Sequence, residues 1–165
     1  MFDLCDIKLA VTPFLLKEKN SDMLLQVLDA DIRAYQCLEI PVARFSGEGF
    51  DFHHARCTGS MFRAGQKRSD WVWIRKHPGS DTAQPGSLNG RILGRLNALF
   101  KLKGIEGKVY RLAHVSLLHC IGGTAVHGVE GMLRVGWPTK EENEVIRIAQ
   151  IEGMAHLIPL EPAES

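Results

Sequence analysis

The histidine and cysteine side chains near residue 55 are the residue types best suited to metal chemistry. His53, His54 and Cys57 lie close together, with Asp51 just upstream. Imidazole and thiolate groups are common zinc ligands, and a structural zinc site normally has four of them. His54 and Cys57 have a feasible spacing for two ligands, but no C-x-x-C or H-x3-H pair follows. A zinc-stabilised module or a metal-dependent enzyme using these three residues is therefore an alternative hypothesis, and the leading hypothesis has no cofactor.

Nucleophilic catalysis by a cysteine is a second chemistry to consider. His119 and Cys120 are adjacent, but neighbouring residues of a strand point to opposite faces of the sheet. The chain contains no G-x-S-x-G, H-E-x-x-H or Walker A motif. The stretch GGTAVHG, residues 122–128, lacks the glycine order and the following helix of a phosphate-binding loop. We therefore expect a non-catalytic protein.

Two tryptophans in RSDWVWIRKH, residues 68–77, have two interpretations, a nucleic-acid surface or core packing. Trp71 and Trp73 share one face of an extended segment because side chains alternate along a strand. Exposed aromatic rings stack on bases, and neighbouring Lys and Arg side chains contact phosphates. The alternative is that one indole packs in the hydrophobic core while the other covers an end of the barrel.

Positive charge is concentrated in the middle of the chain. Residues 56–111 contain 12 Lys/Arg and 3 Asp/Glu, whereas residues 1–55 contain 5 and 9, and residues 112–165 contain 3 and 7. A basic block of this kind indicates a surface for DNA, RNA or a chromatin protein, unless it pairs with the acidic flanks. The predicted contacts are the two tryptophans and these cations: Arg63, Lys67, Arg68, Arg75, Lys76, Arg91, Arg95, Lys101 and Lys103.

The elements that must position these residues are mostly strands. Segments 71–75, 91–103, 109–121, 129–137 and 144–151 are rich in alternating, β-branched or aromatic residues, and we expect a break or bulge at Gly94. Apolar residues after a Ser21 cap predict one helix over 21–38. The sequence thus predicts a mainly β protein: a small closed or partly open barrel of about five to six strands, with one N-terminal helix and long loops. Residues 1–40 would pack as a helical extension on a barrel module at 41–162.

The overall composition fits a single globular domain inside the cell. The chain has 165 residues, of which 45% are hydrophobic and 24% charged. No apolar run approaches the roughly 20 residues that span a bilayer, and Asp3 and Asp6 interrupt the N-terminal segment, so we expect neither a membrane span nor a signal peptide. The four scattered cysteines predict reduced thiols. The composition leaves the oligomeric state open.

Five blocks of the sequence resemble a known family. In order they are RCTGSMFR, RSDWVWIR, GRILGRLNALFKLK, YRLAHVSLLH and IAQIEGMAHLIPL. This series is similar to the C-terminal region of large fungal transposon-encoded proteins, the transposases of the plavaka type and their decayed relatives, over roughly residues 40–160. The resemblance implies an accessory β domain without catalytic residues, since the family's catalytic acids lie in a separate upstream domain, and it implies a nuclear location.

That C-terminal region is in turn loosely similar to barrels of the bromo-adjacent homology kind, which implies binding of DNA, histones or another partner. Two further hypotheses remain beside it. The chain is a protein–protein adaptor whose contact is apolar and not basic, or it is an inactive transposon remnant.

Overall fold

The computed structural model describes residues 4–17, 32–62, 66–75, 90–103, 107–120 and 135–158; the side chains of 4–8, 17, 58–62, 66, 67 and 120 are outside this description. The elements in chain order are α1 Leu4–Lys17, β1 Ile32–Tyr35, β2 Cys37–Ala43, β3 Phe50–Phe62, β4 Gln66–Ser69, β5 Trp71–Arg75, β6 Arg91–Lys103, β7 Val109–Cys120, β8 Val135–Gly136, β9 Asn143–Arg147 and β10 Ile151–Ala155. A single 3-10 turn, Ile148–Gln150, joins β9 to β10. The predicted mainly β class is confirmed.

The described strands form two antiparallel sheets. The larger has seven strands in the order β10-β5-β6-β7-β8, with β1 also paired to β6 and β9 also paired to β7. The smaller has three strands in the order β2-β3-β4. These sheets are not closed into a barrel, so the closed form of the predicted barrel is wrong. We expected closure because it removes unpaired sheet edges. Instead, the described strands form two sheets that stack on each other, and edge strands remain.

The helix lies elsewhere than predicted. Residues 32–35 and 37–38 of the predicted 21–38 helix are extended in β1 and β2, with a bend at Gln36 between them, and residues 21–31 lie outside the described part of the chain. The apolar spacing at Ile32 and Tyr35 resembles a helical stripe, but pairing of β1 with β6 determines the conformation. The real helix, α1, contains Pro13 and has exposed Leu9 and Leu16, so no clean apolar stripe marks it in the sequence.

A bulge at Asn97 determines which face each side chain of β6 occupies. The register with β7 shifts between Leu96 and Ala98, so Leu96 and Leu99 point to the same side although they are three apart. Gly94, where we expected the break, pairs regularly with Val72 of β5 and Leu117 of β7. The expected irregularity therefore exists in β6, three residues further on.

The two faces of the seven-stranded sheet pack against different partners. One face, here called the inner face, packs on the three-stranded sheet: Leu96, Leu99 and Val115 form one core cluster with Ile40 and Ala55. The opposite face, here called the helix face, packs on α1 and also carries both predicted tryptophans. On it, the buried residues of the helix cluster are Val11, Phe14, Leu15, Phe100, Leu102, Tyr110, Leu112 and Val145.

Two further expectations concern domain organisation and membranes. The boundary predicted at residues 40 and 41 falls inside β2, which pairs with β3 along its whole length, Cys37↔Arg56 to Ala43↔Phe50. The described helix, α1, packs on the large sheet, and the predicted division into a helical extension and a barrel module stays a prediction. Among the helices that the structure describes, none is long and apolar enough to cross a membrane.

Candidate functional site

Three cationic residues lie side by side on the inner face, at one end of the seven-stranded sheet. Arg33 of β1 is paired with Lys101 of β6, and Lys101 is paired with Arg111 of β7. Lys101 lies between Phe100 and Leu102, whose side chains pack on α1, so it points to the inner face. Paired residues of neighbouring strands share a face, and the strands are about 4.8 Å apart. We call Arg33, Lys101 and Arg111 the cationic row.

Lys103 extends this positive surface along β6. It lies two residues beyond Lys101 and therefore on the same face, and its side chain is exposed. Arg33, Lys101, Lys103 and Val109 line an open cavity of about 320 Å³. Two of the predicted contacts, Lys101 and Lys103, are thus brought together, and both face solvent in a concave surface.

A second cavity of about 260 Å³ adjoins the first, because Lys101 lines both. It lies where the chain crosses from β1 to β2, and Tyr35 is 47% exposed there. Its wall combines cationic, aromatic, thiol and apolar side chains. The lining residues are Tyr35, Cys37, Leu38, Leu99, Phe100, Lys101, Arg111 and Ile148.

Three cations of this surface, Lys101, Lys103 and Arg111, are not neutralised within the described part of the chain. There, no carboxylate oxygen lies within 4.0 Å of Lys101, Lys103 or Arg111. Like charges placed directly opposite each other across strands destabilise a sheet by about 0.2–1 kcal/mol per pair. An anion bound between them would relieve that repulsion, and a phosphate oxygen accepts hydrogen bonds from both Lys and Arg.

Three of the other predicted cations lie on the helix face, each beside a carboxylate. Arg75 and Arg91 both pair with Glu152, with Arg91 Nε 2.5 Å from Glu152 Oε2. Arg95 Nη2 is 4.0 Å from Glu141 Oε1, and its guanidinium carbon lies 4.7 Å from the ring centroid of Trp137. The acidic C-terminal flank thus neutralises this part of the basic block.

Arg68 is paired within the small sheet, because its Nε lies 3.0 Å from Asp70 Oδ1. The same Asp70 carboxylate accepts a hydrogen bond from the backbone N–H of Arg56 at 2.8 Å. Asp70 lies between β4 and β5, so its two contacts hold the backbone in place where the chain passes from the small sheet to the large one. Arg63, Lys76 and the side chain of Lys67 lie outside the described residues.

The two predicted tryptophans lie on the helix face, opposite to the cationic row. Val72 and Ile74, between and after them, are buried in the inner-face cluster, whereas Trp71 and Trp73 are partly buried. They pack on a small apolar cluster with Leu93, Leu118 and Ala155. Trp71 also contacts Trp137, at 5.7 Å between ring centroids. Both indoles therefore pack partly buried on the same cluster, and base stacking by either one stays a prediction.

The predicted metal ligands point in different directions from β3. His54 and Cys57 are three apart on a strand and lie on opposite faces. Cys57 is buried, its thiol donates a hydrogen bond to the Tyr35 carbonyl at 3.6 Å, and burial raises its pKa to about 11. His53 is exposed. The described residues contain no group of three or more His, Cys, Asp or Glu arranged to hold a metal ion.

Three residues of the site were not among the predicted contacts: Arg33, Tyr35 and Arg111. Arg33 and Tyr35 fell inside the predicted helix. Alternation of cationic and apolar residues, FKLK at 100–103 and YRL at 110–112, is the signal that could have identified Arg111. Antiparallel pairing of β6 with β7 brings those two segments into register.

No protein family, no curated protein and no solved structure matches this chain.

Proposed function

We propose that this chain is a non-catalytic module that binds nucleic acid through the cationic row and Lys103. The observation that carries the proposal is the register that places Arg33, Lys101 and Arg111 on three adjacent strands. The acidic neighbours that neutralise Arg75, Arg91 and Arg95 on the other face are not found beside Lys101, Lys103 or Arg111 in the described part of the chain. This surface therefore has the charge and the shape to bind phosphates.

The role as an accessory module is consistent with the similarity to the C-terminal region of fungal transposases, which itself stays a prediction. In that interpretation the module adds affinity for DNA or RNA, or for a chromatin-associated partner, to a separate catalytic domain. Phosphate contacts carry no sequence information. We therefore propose binding with little sequence preference and a nuclear location.

The first test is a fluorescence anisotropy titration of a labelled oligonucleotide at about 50 and 200 mM salt. Each phosphate neutralised by a cation releases counterions and contributes about 0.7–0.9 to the magnitude of the slope of log K against log salt, so Lys101, Lys103 and Arg111 together predict a slope of roughly −2.5. The variant Lys101→Thr should weaken binding and reduce that slope by about one. Its thermal stability should equal or exceed that of the wild type, because the change removes repulsion within the row.

The matched control is Arg75→Gln, which removes the same charge from the helix face and leaves Glu152 paired with Arg91. It should bind like the wild type. Equal losses in Lys101→Thr and Arg75→Gln would show that only net charge matters and would contradict the proposed site, as would binding that does not change with salt.

Protein–protein contact is a second candidate function, and one observation favours it. Three phenylalanines at the tip of the β2–β3 hairpin, Phe45, Phe50 and Phe52, have relative exposures of 110%, 61% and 58%. Phe50 and Phe52 share one face of β3. Clustered exposed aromatic side chains are typical of binding surfaces. If this surface is the functional one, Phe52→Ser should abolish binding of a protein partner, whereas Lys101→Thr should not.

A further inference from the structure

We infer that the preferred ligand of this site is single-stranded nucleic acid, with an unpaired base stacked on Tyr35. The inference rests on the proposed function and names its substrate class. It depends on the combination of an exposed aromatic ring, an apolar wall and cations around one cavity. A set of cations alone would bind any polyanion.

Tyr35 is held at the corner where the chain leaves the large sheet. It lies two residues after Arg33, pairs with Leu99 of β6, and shares the inner face with the cationic row. The next residue is already tied to the small sheet, because the Cys57 backbone N–H donates to the Gln36 carbonyl at 3.0 Å. The carbonyl of Tyr35 itself accepts a hydrogen bond from the Cys57 thiol. The backbone of Tyr35 is therefore fixed while 47% of the residue surface stays exposed.

The cavity beside Tyr35 offers both kinds of contact that a nucleotide needs. Leu38 and Ile148 supply an apolar wall, and Lys101 and Arg111 line the same cavity of about 260 Å³. A base could stack on the ring while its phosphate lies between the two cations. Proteins that bind single strands commonly combine a positively charged groove with such an aromatic platform.

Duplex nucleic acid cannot use this arrangement. Its bases are stacked on one another, so their faces are not accessible to Tyr35 unless a base is extruded, which costs a few kcal/mol. A duplex would contact only the charged rim. The apolar wall and the ring therefore discriminate between the two forms, and the cations do not.

The experiment compares a 20-nucleotide single strand with the duplex of the same sequence, by anisotropy under identical salt conditions. The wild type should bind the single strand at least about tenfold more tightly. Stacking on an aromatic side chain contributes about 1–3 kcal/mol per base, so Tyr35→Ala should weaken single-strand binding by about 5- to 150-fold. Tyr35→Phe should keep most of the affinity, and duplex binding should change little in either variant.

The matched control is Phe52→Ala, which removes an exposed aromatic ring from the small sheet and should bind like the wild type. Equal affinity for single strand and duplex, or full affinity in Tyr35→Ala, would overturn the inference while leaving the proposed function intact, provided that Lys101→Thr still weakens binding. If neither the single strand nor the duplex showed salt-dependent binding, both the proposed function and this inference would be overturned. If Tyr35→Ala does not fold, the comparison of single-strand and duplex binding by the wild type still tests the inference.

Discussion

His114 is a buried ionisable residue on the helix face of β7. It is 7% exposed and pairs with Ala98 and Val145 of the neighbouring strands. Burial lowers the pKa of its imidazole from the ordinary value of 6.5, against a smaller opposing effect from the Glu141 carboxylate. The folded protein therefore holds this side chain in its neutral form more strongly than the unfolded chain does.

This lowered pKa predicts a loss of stability in mild acid. Below about pH 6.5 the unfolded chain binds a proton at His114 that the folded protein does not, so the free energy of unfolding falls as the pH is lowered. Above pH 6.5 both states are neutral and the effect disappears. Urea unfolding at pH 5, 6, 7 and 8 should show this decline, and His114→Leu should make it shallower.

Replacement of an exposed histidine, His53→Gln, is the control for the loss of one imidazole. If His114→Leu showed the same dependence of stability on pH as the wild type, His114 would not be the residue responsible.

The sequence predicted the chemistry of individual residues only in part. Lys101 and Lys103 were identified because they belong to a basic block. Glu152 pairs with Arg91 from 61 residues away, and no local pattern reveals which cation such a distant carboxylate will neutralise. Trp71 and Trp73 were correctly placed on one face of a strand, but their exposure depends on what packs above them, here including Trp137.

At the level of elements, Gly94 allows close packing of the inner-face cluster. A Cβ atom at this position would lie 2.5 Å from Ile74 Cδ1 and 3.5 Å from Val115 Cβ. Ile74 is 1% exposed, so its side chain has little space in which to move away. Glycine is therefore needed here because β5, β6 and β7 pack closely together at this position, and not because the chain turns.

We predict that Gly94→Ala destabilises the protein by about 1–3 kcal/mol, because an extra methyl group overpacks the core. Adding Ile74→Val, which removes Cδ1, should recover part of that loss. Gly153→Ala is the matched control, since a Cβ there meets nothing within 4 Å. Chemical denaturation of the four proteins measures these differences. Equal stability of Gly94→Ala and Gly153→Ala would contradict the packing argument.

Strands were predicted more successfully than the helix for a physical reason. Segments 71–75 and 91–103 coincide with β5 and β6, and 109–121 covers β7, with residue 121 outside the described part of the chain. Their composition and their buried positions favour the same conformation. In β1, residues with helical spacing are extended because β6 supplies hydrogen-bond partners. In α1, packing of Val11, Phe14 and Leu15 on the sheet stabilises a helix that contains Pro13.

At the scale of the whole molecule, the fold converts one basic stretch of sequence into two different surfaces. The chain has a net charge of only +1, yet the first two cations of β6 and the last two point to opposite sides of a single sheet. On the helix face Arg91 and Arg95 meet carboxylates from the C-terminal flank. On the inner face, beyond the small sheet, Lys101 and Lys103 line an open cavity. This partition required the register, which the sequence alone did not supply.

Cys37 provides the most direct measurement of whether nucleic acid occupies this surface. Cys37 is exposed and is one of the residues that line the same cavity as Tyr35, Lys101 and Arg111. Its Sγ lies 3.8 Å from His54 Nδ1. The measurement is the rate of alkylation by iodoacetamide, followed by mass spectrometry of the peptide that contains Cys37, with and without saturating single-stranded oligonucleotide. Buried Cys57 is an internal reference, because only a thiolate reacts readily and its pKa is raised to about 11.

We predict that the oligonucleotide slows alkylation of Cys37 several-fold, that Lys101→Thr abolishes this protection at the same concentration, and that Cys57 reacts slowly throughout. An unchanged alkylation rate at Cys37 when binding is saturated would contradict the central claim that the cationic row and its adjoining cavity form the nucleic-acid site.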